Sequence, residues 1–275
     1  LSSIPMTAIS HIEILRDGAA AQYGSDAIAG VINLVLKDDL GGSVWAQYGQ
    51  TSEGDGESTE FGGNYGFAIG DKGTLNLTFE YADNEEMNRA TPTTWFGAID
   101  EPRQLLLVGE AETEMTSLWA NFSYEIGESS EFYAFGGFTS KEGESLGFYR
   151  PEGVTPKLGS KSEDYSVAVG FKTQVGEWDL DASVVTGENR FEFSNLESLN
   201  ASYGPDSPTA AYDGALIYSQ TTFNLDAVTA VDLGFFDETS IAFGAEFRID
   251  GFAQEAGDMV TYARGDTLCA ESVNP

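Results

Sequence analysis

Apolar and polar residues alternate along most of the chain after about residue 40. In residues 163–175 the apolar side chains fall on odd positions, and the small or polar ones fall on even positions. The same period of two recurs in residues 75–82 and 241–250. Because successive side chains of a strand point to opposite faces of a sheet, this pattern predicts strands with one apolar and one polar face.

About nine segments of this kind follow one another after residue 40. They are residues 42–50, 58–70, 73–83, 115–127, 130–141, 163–176, 177–193, 216–233 and 239–252. Most are longer than the average strand of a soluble protein, which has about 5–6 residues. A tilted strand of about 9–11 residues spans a bilayer. The segments are therefore long enough to be membrane-spanning strands.

The connections between these segments alternate in length. Short turns are predicted at residues 70–73, 127–130, 175–178 and 235–238, and longer polar loops near 83–114, 141–163, 192–215 and from 252 onward. Short turns on one side and long loops on the other are typical of outer-membrane barrels. We predict an all-β fold, an antiparallel transmembrane β-barrel. Because single-chain bacterial barrels close with an even number of strands, nine strands predict an incomplete barrel.

Aromatic residues near the strand ends support a membrane setting. We expect Tyr81, Tyr124, Trp178 and Phe191 to belong to the aromatic girdles at the bilayer interfaces. The competing interpretation is a soluble β-sandwich, which would use the same alternation but does not call for strands of this length.

The first forty residues follow a different plan. Residues 8–16 alternate as a strand, Gly18 breaks it, and residues 19–24 are small helix formers that end at a glycine. Residues 30–37 then form an apolar, β-branched run. The prediction is a strand, a short helix and a strand, the end of a small α/β domain. Neither phosphate-binding glycine spacing, G-x-G-x-x-G or G-x-x-x-x-G-K-[ST], occurs in this segment.

Residues 4–37 resemble the C-terminal part of the plug domain of TonB-dependent outer-membrane receptors. The shared pattern is a strand ending in Leu-Arg-Asp-Gly, a small-residue helix ending in Tyr-Gly, and Gly-Val-Ile-Asn opening a last strand. Its residues here are Leu15, Arg16, Asp17, Gly18, Tyr23, Gly24, Gly30, Val31, Ile32 and Asn33. The resemblance implies that residues 1–39 end a plug domain and that residues 40–275 begin the barrel around it.

The resemblance also implies a function. Such receptors lie in the outer membrane of Gram-negative bacteria, and a plug fills a barrel of about 22 strands. The TonB-ExbB-ExbD complex pulls on the plug through an N-terminal segment, using the proton gradient, and a scarce ligand passes. An iron-siderophore chelate is the default ligand, with cobalamin, other chelates, oligosaccharides and peptides left open. Outer-membrane lipid and lipopolysaccharide would surround the barrel. Arg16 would pair with a lumen carboxylate such as Glu80 or Glu246.

Candidate ligand contacts come from two predicted outer loops. Arginine and aromatic side chains grip chelates and sugars through charge, hydrogen bonds and ring faces. The candidates are Arg89, Trp95, Phe96 and Arg103 in one loop and Phe148, Tyr149 and Arg150 in the other. The alternative is that these side chains pack on one another within the loops.

Composition and charge argue against several classes of protein. The formal net charge is -32, from 45 acidic and 13 basic residues, so binding to nucleic acid through bulk electrostatics is not expected. No run approaches the ~18 consecutive apolar residues of a transmembrane helix.

Cys269 is the one cysteine, which rules out an internal disulfide and leaves open a pairing with a cysteine elsewhere in a longer protein. The chain starts at Leu1 without a leader pattern, and we expect it to be part of a longer receptor.

Enzymatic and metal-binding functions find little support in the sequence. His11 is the one histidine and lies on a predicted plug strand, far from where a Ser-His-Asp hydrolase of the outer membrane would need it. No transition-metal spacing of His and Cys occurs, and we expect no metal, cofactor or catalytic residue. The acidic residues 53–57 suit weak calcium binding or, more simply, a solvated loop. A passive porin or structural barrel is the second candidate function, and residues 4–37 argue against it.

Overall fold

The computed structural model describes residues 3–16, 30–94, 105–150, 153–231 and 239–266. Strands dominate these residues. In chain order they are β1 (Ile9–Arg16), β2 (Gly30–Leu36), β3 (Gly41–Gly49), β4 (Ser58–Ile69), β5 (Gly73–Asn84), β6 (Met87–Asn88), β7 (Gly109–Glu110), β8 (Glu112–Ile126), β9 (Ser130–Leu146), β10 (Lys157–Val175), β11 (Trp178–Glu197), β12 (Ala211–Val231) and β13 (Thr239–Ala256). Short helical turns occur at Met6–Ala8, Ala201–Asp206 and Met259–Tyr262. Within the described ranges, no helix has the length and hydrophobicity needed to cross a membrane.

Nine strands form one antiparallel sheet, as the alternating pattern predicts. Its order is β13-β12-β11-β10-β9-β8-β5-β4-β3, so each strand pairs with its sequence neighbours except across the small β6–β7 hairpin. The fold class is confirmed as an antiparallel barrel-type sheet behind a small leading domain. Over the described residues the sheet is open, with β3 and β13 as its edge strands.

The register places polar positions of neighbouring strands on one face. Asn76 lies opposite Asn121, Thr139 opposite Asp164, and Asn224 opposite Glu246. This face is called the lumen face below, and the opposite one the outer face. On the outer face, large apolar side chains are solvent-exposed in the isolated chain: Leu118, Phe138, Val167, Leu225 and Phe247. An exposed apolar belt of this kind suits contact with lipid.

The short turns depend on glycine. Gly70, Gly127 and Gly176 have φ values of 61°, 77° and 64°, the left-handed region that side-chain-bearing residues avoid. Each glycine lies in the turn between two paired strands, which explains how β4–β5, β8–β9 and β10–β11 reverse within a few residues. The predicted turn at residues 235–238 lies outside the described residues.

The predicted long loops are shorter in the structure. Strand β9 continues to Leu146 and β10 starts at Lys157, which leaves residues 147–156 where residues 141–163 were predicted as loop. Likewise β11 ends at Glu197 and β12 starts at Ala211, against a predicted loop over 192–215. The loop boundaries were wrong because these strand ends are rich in polar residues and do not keep the regular alternation of apolar and polar positions. Main-chain pairing extends them without the alternation that marks a membrane span.

Among the described residues, the leading segment forms one hairpin after the helical turn at Met6–Ala8. Strands β1 and β2 pair antiparallel, with Arg16 opposite Gly30 and Glu13 opposite Asn33. Gly30 has φ 138°, and a Cβ atom there would come within 2.4 Å of the Leu15 carbonyl oxygen, so the hairpin requires glycine at this position. His11 lies on β1, as predicted, and is exposed. The predicted helix of residues 19–24 falls outside the described residues.

Candidate functional site

The short helix before the hairpin is joined to the lumen face at Glu80. The Thr7 backbone N–H donates to Glu80 Oε1 at 2.6 Å, and the Thr7 hydroxyl donates to the same oxygen. Trp45 Nε1 in turn donates to Thr7 Oγ1 at 2.8 Å. Glu80 is only 6% exposed, so this carboxylate is buried at the contact and its hydrogen bonds are worth more than surface ones.

A second contact lies at Ser3. Its carbonyl oxygen accepts from Trp119 Nε1 at 2.9 Å and from Thr139 Oγ1 at 2.7 Å. Trp119 and Thr139 are buried on β8 and β9. The leading segment therefore contacts the sheet through β3, β5, β8 and β9, and every described barrel side chain in these contacts belongs to the lumen face.

The four residues between β2 and β3 are also held. Asn121 Nδ2 donates to the Lys37 carbonyl oxygen at 2.9 Å. A Cβ atom on Gly66 would lie 1.9 Å from the Asp39 carbonyl oxygen, so the linker passes this strand at a distance that only glycine permits. The linker is thus held to β8 at Lys37 and lies against β4 at Asp39.

Asn76 lies beneath this linker with its amide group buried. Neither its Nδ2 nor its Oδ1 makes a hydrogen bond within the described residues, and the side chain is 2% exposed. Asn76 borders a small cavity of about 10 Å³ for the centre of a water molecule, lined also by Ala8, Lys37 and Asn121. A cavity of this size is close to the minimum that holds one water.

A larger recess opens on the lumen face above Ser3. Its volume is about 560 Å³, within the usual range of small-molecule sites. Phe191 and Phe193 form one side, with ring centroids 4.7 Å apart and planes at 60°. Lys141, Asp164 and Thr139 also line the recess. The recess thus combines an apolar surface with one cationic group, Lys141, and three carboxylates, those of Asp164, Glu142 and Glu144.

Asp164 is fixed in this recess by its neighbours. Its Oδ1 accepts from Asn189 Nδ2 at 2.9 Å, and its Oδ2 accepts from Ser162 Oγ at 3.1 Å. Since an ionised carboxylate has about four acceptor positions, Asp164 keeps capacity for a ligand donor. The group is oriented before any ligand arrives.

The first two outer loops are joined by Arg89. Its guanidinium binds both oxygens of Asp55, with Nη2 to Oδ1 at 2.8 Å, and Nη2 also donates to Thr51 Oγ1 at 3.1 Å. These hydrogen bonds, from Arg89 first and from Thr51 second, hold the pKa of Asp55 well below its ordinary range. The pKa of Arg89 is raised by the same pairing. Asp55 lies in the acidic loop at residues 53–57 and is engaged there by a cation of this chain.

Only some of the predicted site residues lie in the part of the chain that the structure describes. Leu15, Arg16, Gly30, Val31, Ile32 and Asn33 lie on the hairpin, where Asn33 Nδ2 donates to Glu13 Oε2 at 2.8 Å. Asp17, Gly18, Tyr23, Gly24, Trp95, Phe96, Arg103 and Cys269 fall outside the described residues. Arg16 makes no ion pair with Glu80 or Glu246 within the described part of the chain. Glu80 does meet the leading segment, through Thr7 rather than Arg16.

The candidate ligand-contact residues of the outer loops differ in how exposed they are and in whether they are already hydrogen-bonded. Phe148 is 79% exposed, whereas Tyr149 is 9% exposed. Arg150 Nη1 donates to the Leu199 carbonyl oxygen at 3.3 Å and so ties one outer loop to the next. Arg89 is held by Asp55. Among these, Phe148 presents the most free surface.

Sequence reasoning missed the residues of the recess. Phe191 was expected in an aromatic girdle, and this is wrong: it shares the lumen face with Asn189 and borders the recess. The sequence did indicate the face of Phe191. Like the polar residues Asp179, Asp181 and Ser183 of β11, it has an odd residue number and so lies on the same face of the strand. Tyr81, Tyr124 and Trp178 do lie on the outer face. Ser3 and Thr7 carried no signal, since they act partly through backbone groups.

These features define a class of protein. A barrel-type sheet with an apolar outer face, and a separate small domain hydrogen-bonded to its lumen face, is the arrangement of a plugged outer-membrane barrel. Residues 1–31 match the family model described as TonB-dependent Receptor Plug Domain. The chain is 38% identical over 86 residues to the vitamin B12 transporter BtuB of Photobacterium profundum, covering 30% of this chain and 14% of that protein. The Vibrio cholerae transporter of the same name is 37% identical over 79 residues, covering 28% and 12%.

Solved structures share the fold. A ferric enterobactin receptor of Pseudomonas aeruginosa in complex with enterobactin superimposes with a TM-score of 0.65 at 16% identity, covering 91% of this chain and 37% of that one. The ferric preacinetobactin receptor of Acinetobacter baumannii gives a TM-score of 0.53 at 12% identity, covering 89% and 50%. The chain therefore spans only part of the proteins that it matches. Together the plug match, the curated relatives and the fold support a fragment of a TonB-dependent receptor. Such receptors are outer-membrane proteins.

Proposed function

We propose that these residues belong to a receptor that takes up a scarce ligand across the bacterial outer membrane, driven by the proton gradient through TonB. Residues 1–39 form the end of the plug and residues 40–275 the first part of the barrel. The observation that carries the proposal is the set of hydrogen bonds between the leading segment and the lumen face, at Glu80 and at Ser3. A passive porin has no use for a separate domain held in its lumen.

The character of these contacts suits a plug that must move. They are discrete hydrogen bonds between polar groups, such as Thr7 with Glu80 and Asn121 with the Lys37 carbonyl. Water can replace such partners when the contact opens, whereas a continuous apolar interface would expose a large hydrophobic area. The plug can therefore be shifted and reseated at moderate cost.

The ligand would meet the plug in the recess above Ser3. The relatives are named for vitamin B12, and the structural neighbours for ferric enterobactin and ferric preacinetobactin. We propose a metal chelate of similar size, with an iron-siderophore complex as the leading case. Contact by the outer-loop residues belongs to the proposal: Arg89, Trp95, Phe96, Arg103, Phe148, Tyr149 and Arg150. Phe148 is the best placed of the described ones, because its ring is exposed.

The remaining assignments follow from this role. TonB, with its partners ExbB and ExbD, would act on the plug, and membrane lipid and lipopolysaccharide would surround the apolar outer face. The hairpin motif from Leu15 to Asn33 would act mechanically, as part of the plug, and we assign the chain no catalytic function. The net charge of -32 argues against nucleic acid as a partner.

Energised uptake tests the proposal directly. The full-length gene product containing these residues is expressed in a bacterium that lacks its own receptors for ferric siderophores and cobalamin. Uptake of radiolabelled ferric chelates and cyanocobalamin is then measured with and without a protonophore. We expect uptake of at least one chelate, abolished by the protonophore and by deletion of the tonB gene. Uptake that persists after the gradient collapses would instead establish the passive barrel.

A further inference from the structure

The charges around the recess select among ligands. Acidic residues predominate in the described outer loops: Glu53, Asp55, Glu57, Glu85, Glu86, Glu110, Asp206, Asp258 and Asp266, against Arg89, Arg150 and Arg264. Arg89 is already paired with Asp55, whereas Arg150 donates to the neutral Leu199 carbonyl and keeps its charge. An approaching polyanion therefore meets a surplus of negative charge with few free cations to offset it.

The recess is lined by one cation and three carboxylates. The cation is Lys141, and the carboxylates are those of Asp164, Glu142 and Glu144, of which Glu142 and Glu144 form ion pairs with Lys161 and Lys157. Asp164 is held by Asn189 and Ser162, so its carboxylate cannot swing away from a ligand without breaking two hydrogen bonds. A trianionic chelate would have to lie against this fixed carboxylate, and a like-charge contact in a partly desolvated site is strongly unfavourable.

The apolar side of the recess adds a second preference. Phe193 is 42% exposed, and it forms with Phe191 a surface that stands open toward the lumen. A flat or methylene-rich ligand surface would cover these rings and gain from removing them from water. A cationic group would also be attracted to the ring faces.

We infer that the recess above Ser3 takes a ligand without net negative charge, cationic or neutral, that covers Phe191 and Phe193 and donates a hydrogen bond to Asp164. This inference rests on the proposed uptake function and narrows its ligand. Ferric hydroxamates with a free ammonium group and neutral corrinoids belong to this class. Ferric tris-catecholates, with three negative charges, do not.

Three probes of different charge test the inference on the purified full-length receptor: ferrioxamine B, cyanocobalamin and ferric enterobactin. Equilibrium binding is measured by tryptophan fluorescence quenching at low and high salt. We expect ferrioxamine B or cyanocobalamin to bind at least about tenfold more tightly than ferric enterobactin. For the cationic probe the preference should shrink as salt screens the charges.

Two variants in the recess and one control variant test whether any ligand preference arises there. Phe193→Ala should weaken the preferred probe about tenfold, because a ring that covers ligand surface is lost. Phe223→Ala removes a ring from the outer face of β12 and serves as the matched control, with binding unchanged. Asp164→Asn should reduce the discrimination against ferric enterobactin and leave the receptor folded, since the amide keeps the shape of the carboxylate.

The outcomes separate the two claims. Equal or tighter binding of ferric enterobactin overturns the inference about charge and leaves energised uptake standing. A charge preference that Phe193→Ala and Asp164→Asn do not alter overturns the assignment to this recess. If none of the three probes binds and none is taken up, the proposed function fails as well.

Discussion

Thr7 and Glu80 are 73 positions apart in the chain, yet the Thr7 backbone N–H lies 2.6 Å from Glu80 Oε1. The Thr7 hydroxyl extends this contact, since it donates to Glu80 and accepts from Trp45 Nε1. One small side chain thus connects the plug to two barrel strands, β5 and β3.

Replacing Thr7 with valine should loosen the plug without unfolding the barrel. The variant keeps the shape of the side chain but loses both hydroxyl contacts, and we expect the plug to be destabilised by about 1–3 kcal/mol. The measurement is the urea concentration at which the plug of the refolded receptor becomes sensitive to protease. Thr74→Val is the control, because the Thr74 hydroxyl contacts only Ser123 of the barrel, at 3.1 Å. Equal effects of both substitutions would show that Thr7 has no special part in holding the plug.

Gly66→Ala should disturb the linker between plug and barrel. The added methyl group would lie 1.9 Å from the Asp39 carbonyl oxygen and 3.0 Å from the Asn76 amide. Relief of this clash requires the backbone to move, at a cost of about 1–3 kcal/mol. Gly49→Ala is the matched control on the neighbouring strand, since its methyl group meets nothing closer than 3.9 Å. Thermal unfolding of the two variants would be compared, and similar midpoints would contradict the close approach seen here.

The contact between Asp55 and Arg89 should persist in acid. Because the folded pKa of Asp55 is lowered, its stabilising effect is complete above the ordinary value of 3.8 and is lost only as pH falls through the lowered value. We expect a spin label at position 53 to show unchanged mobility from pH 7 down to about 4. In Asp55→Asn the label should be mobile throughout this range. A label that loosens between pH 6 and 5 would point to a different titrating group.

Substitution by arginine should destabilise the barrel more on the outer face of β12 than on its lumen face. Leu225 lies on the outer face and is 56% exposed in the isolated chain, whereas Asn224 lies on the lumen face. Leu225→Arg should destabilise the barrel in lipid vesicles by about 2–4 kcal/mol, the cost of a charge near the bilayer midplane. Asn224→Arg should cost much less. The free energy of unfolding of the full-length receptor in vesicles, measured for both, checks the assignment of faces, and the reverse order would refute it.

Much of the sheet could be predicted from alternation alone. The strand around Val167 and Val169 shows why: a buried or lipid-facing side chain at every second position leaves a clear period of two. The ends of the strands could not be predicted in the same way. Residues such as Lys161 and Glu163 extend β10 with polar side chains, and Lys161 forms ion pairs with both Glu163 and Glu142. There the main chain continues to pair although the hydropathy signal has ended.

The site was less accessible to sequence reasoning than the fold. Aromatic residues near strand ends suggested girdles, but the face of a residue depends on its parity, and Phe191 belongs to the polar face of β11. The contact at Ser3 uses a carbonyl oxygen, which every residue carries, so no side-chain pattern marks it. Arg89 was a reasonable ligand candidate by type. Its partner, Asp55, lies 34 positions away, and only the fold brings them together.

The linker of residues 37–40 limits how far this end of the plug can travel. Four residues reach at most about 14 Å when fully extended, and the wall already holds Lys37 and passes close to Asp39. A force applied upstream can peel β1 from β2 and tilt the hairpin, but it cannot draw the base of β2 clear of β3. The linker therefore tethers the base of β2 to the barrel. Under the proposed function, movement of the plug relative to the barrel would therefore pivot about residues 37–40.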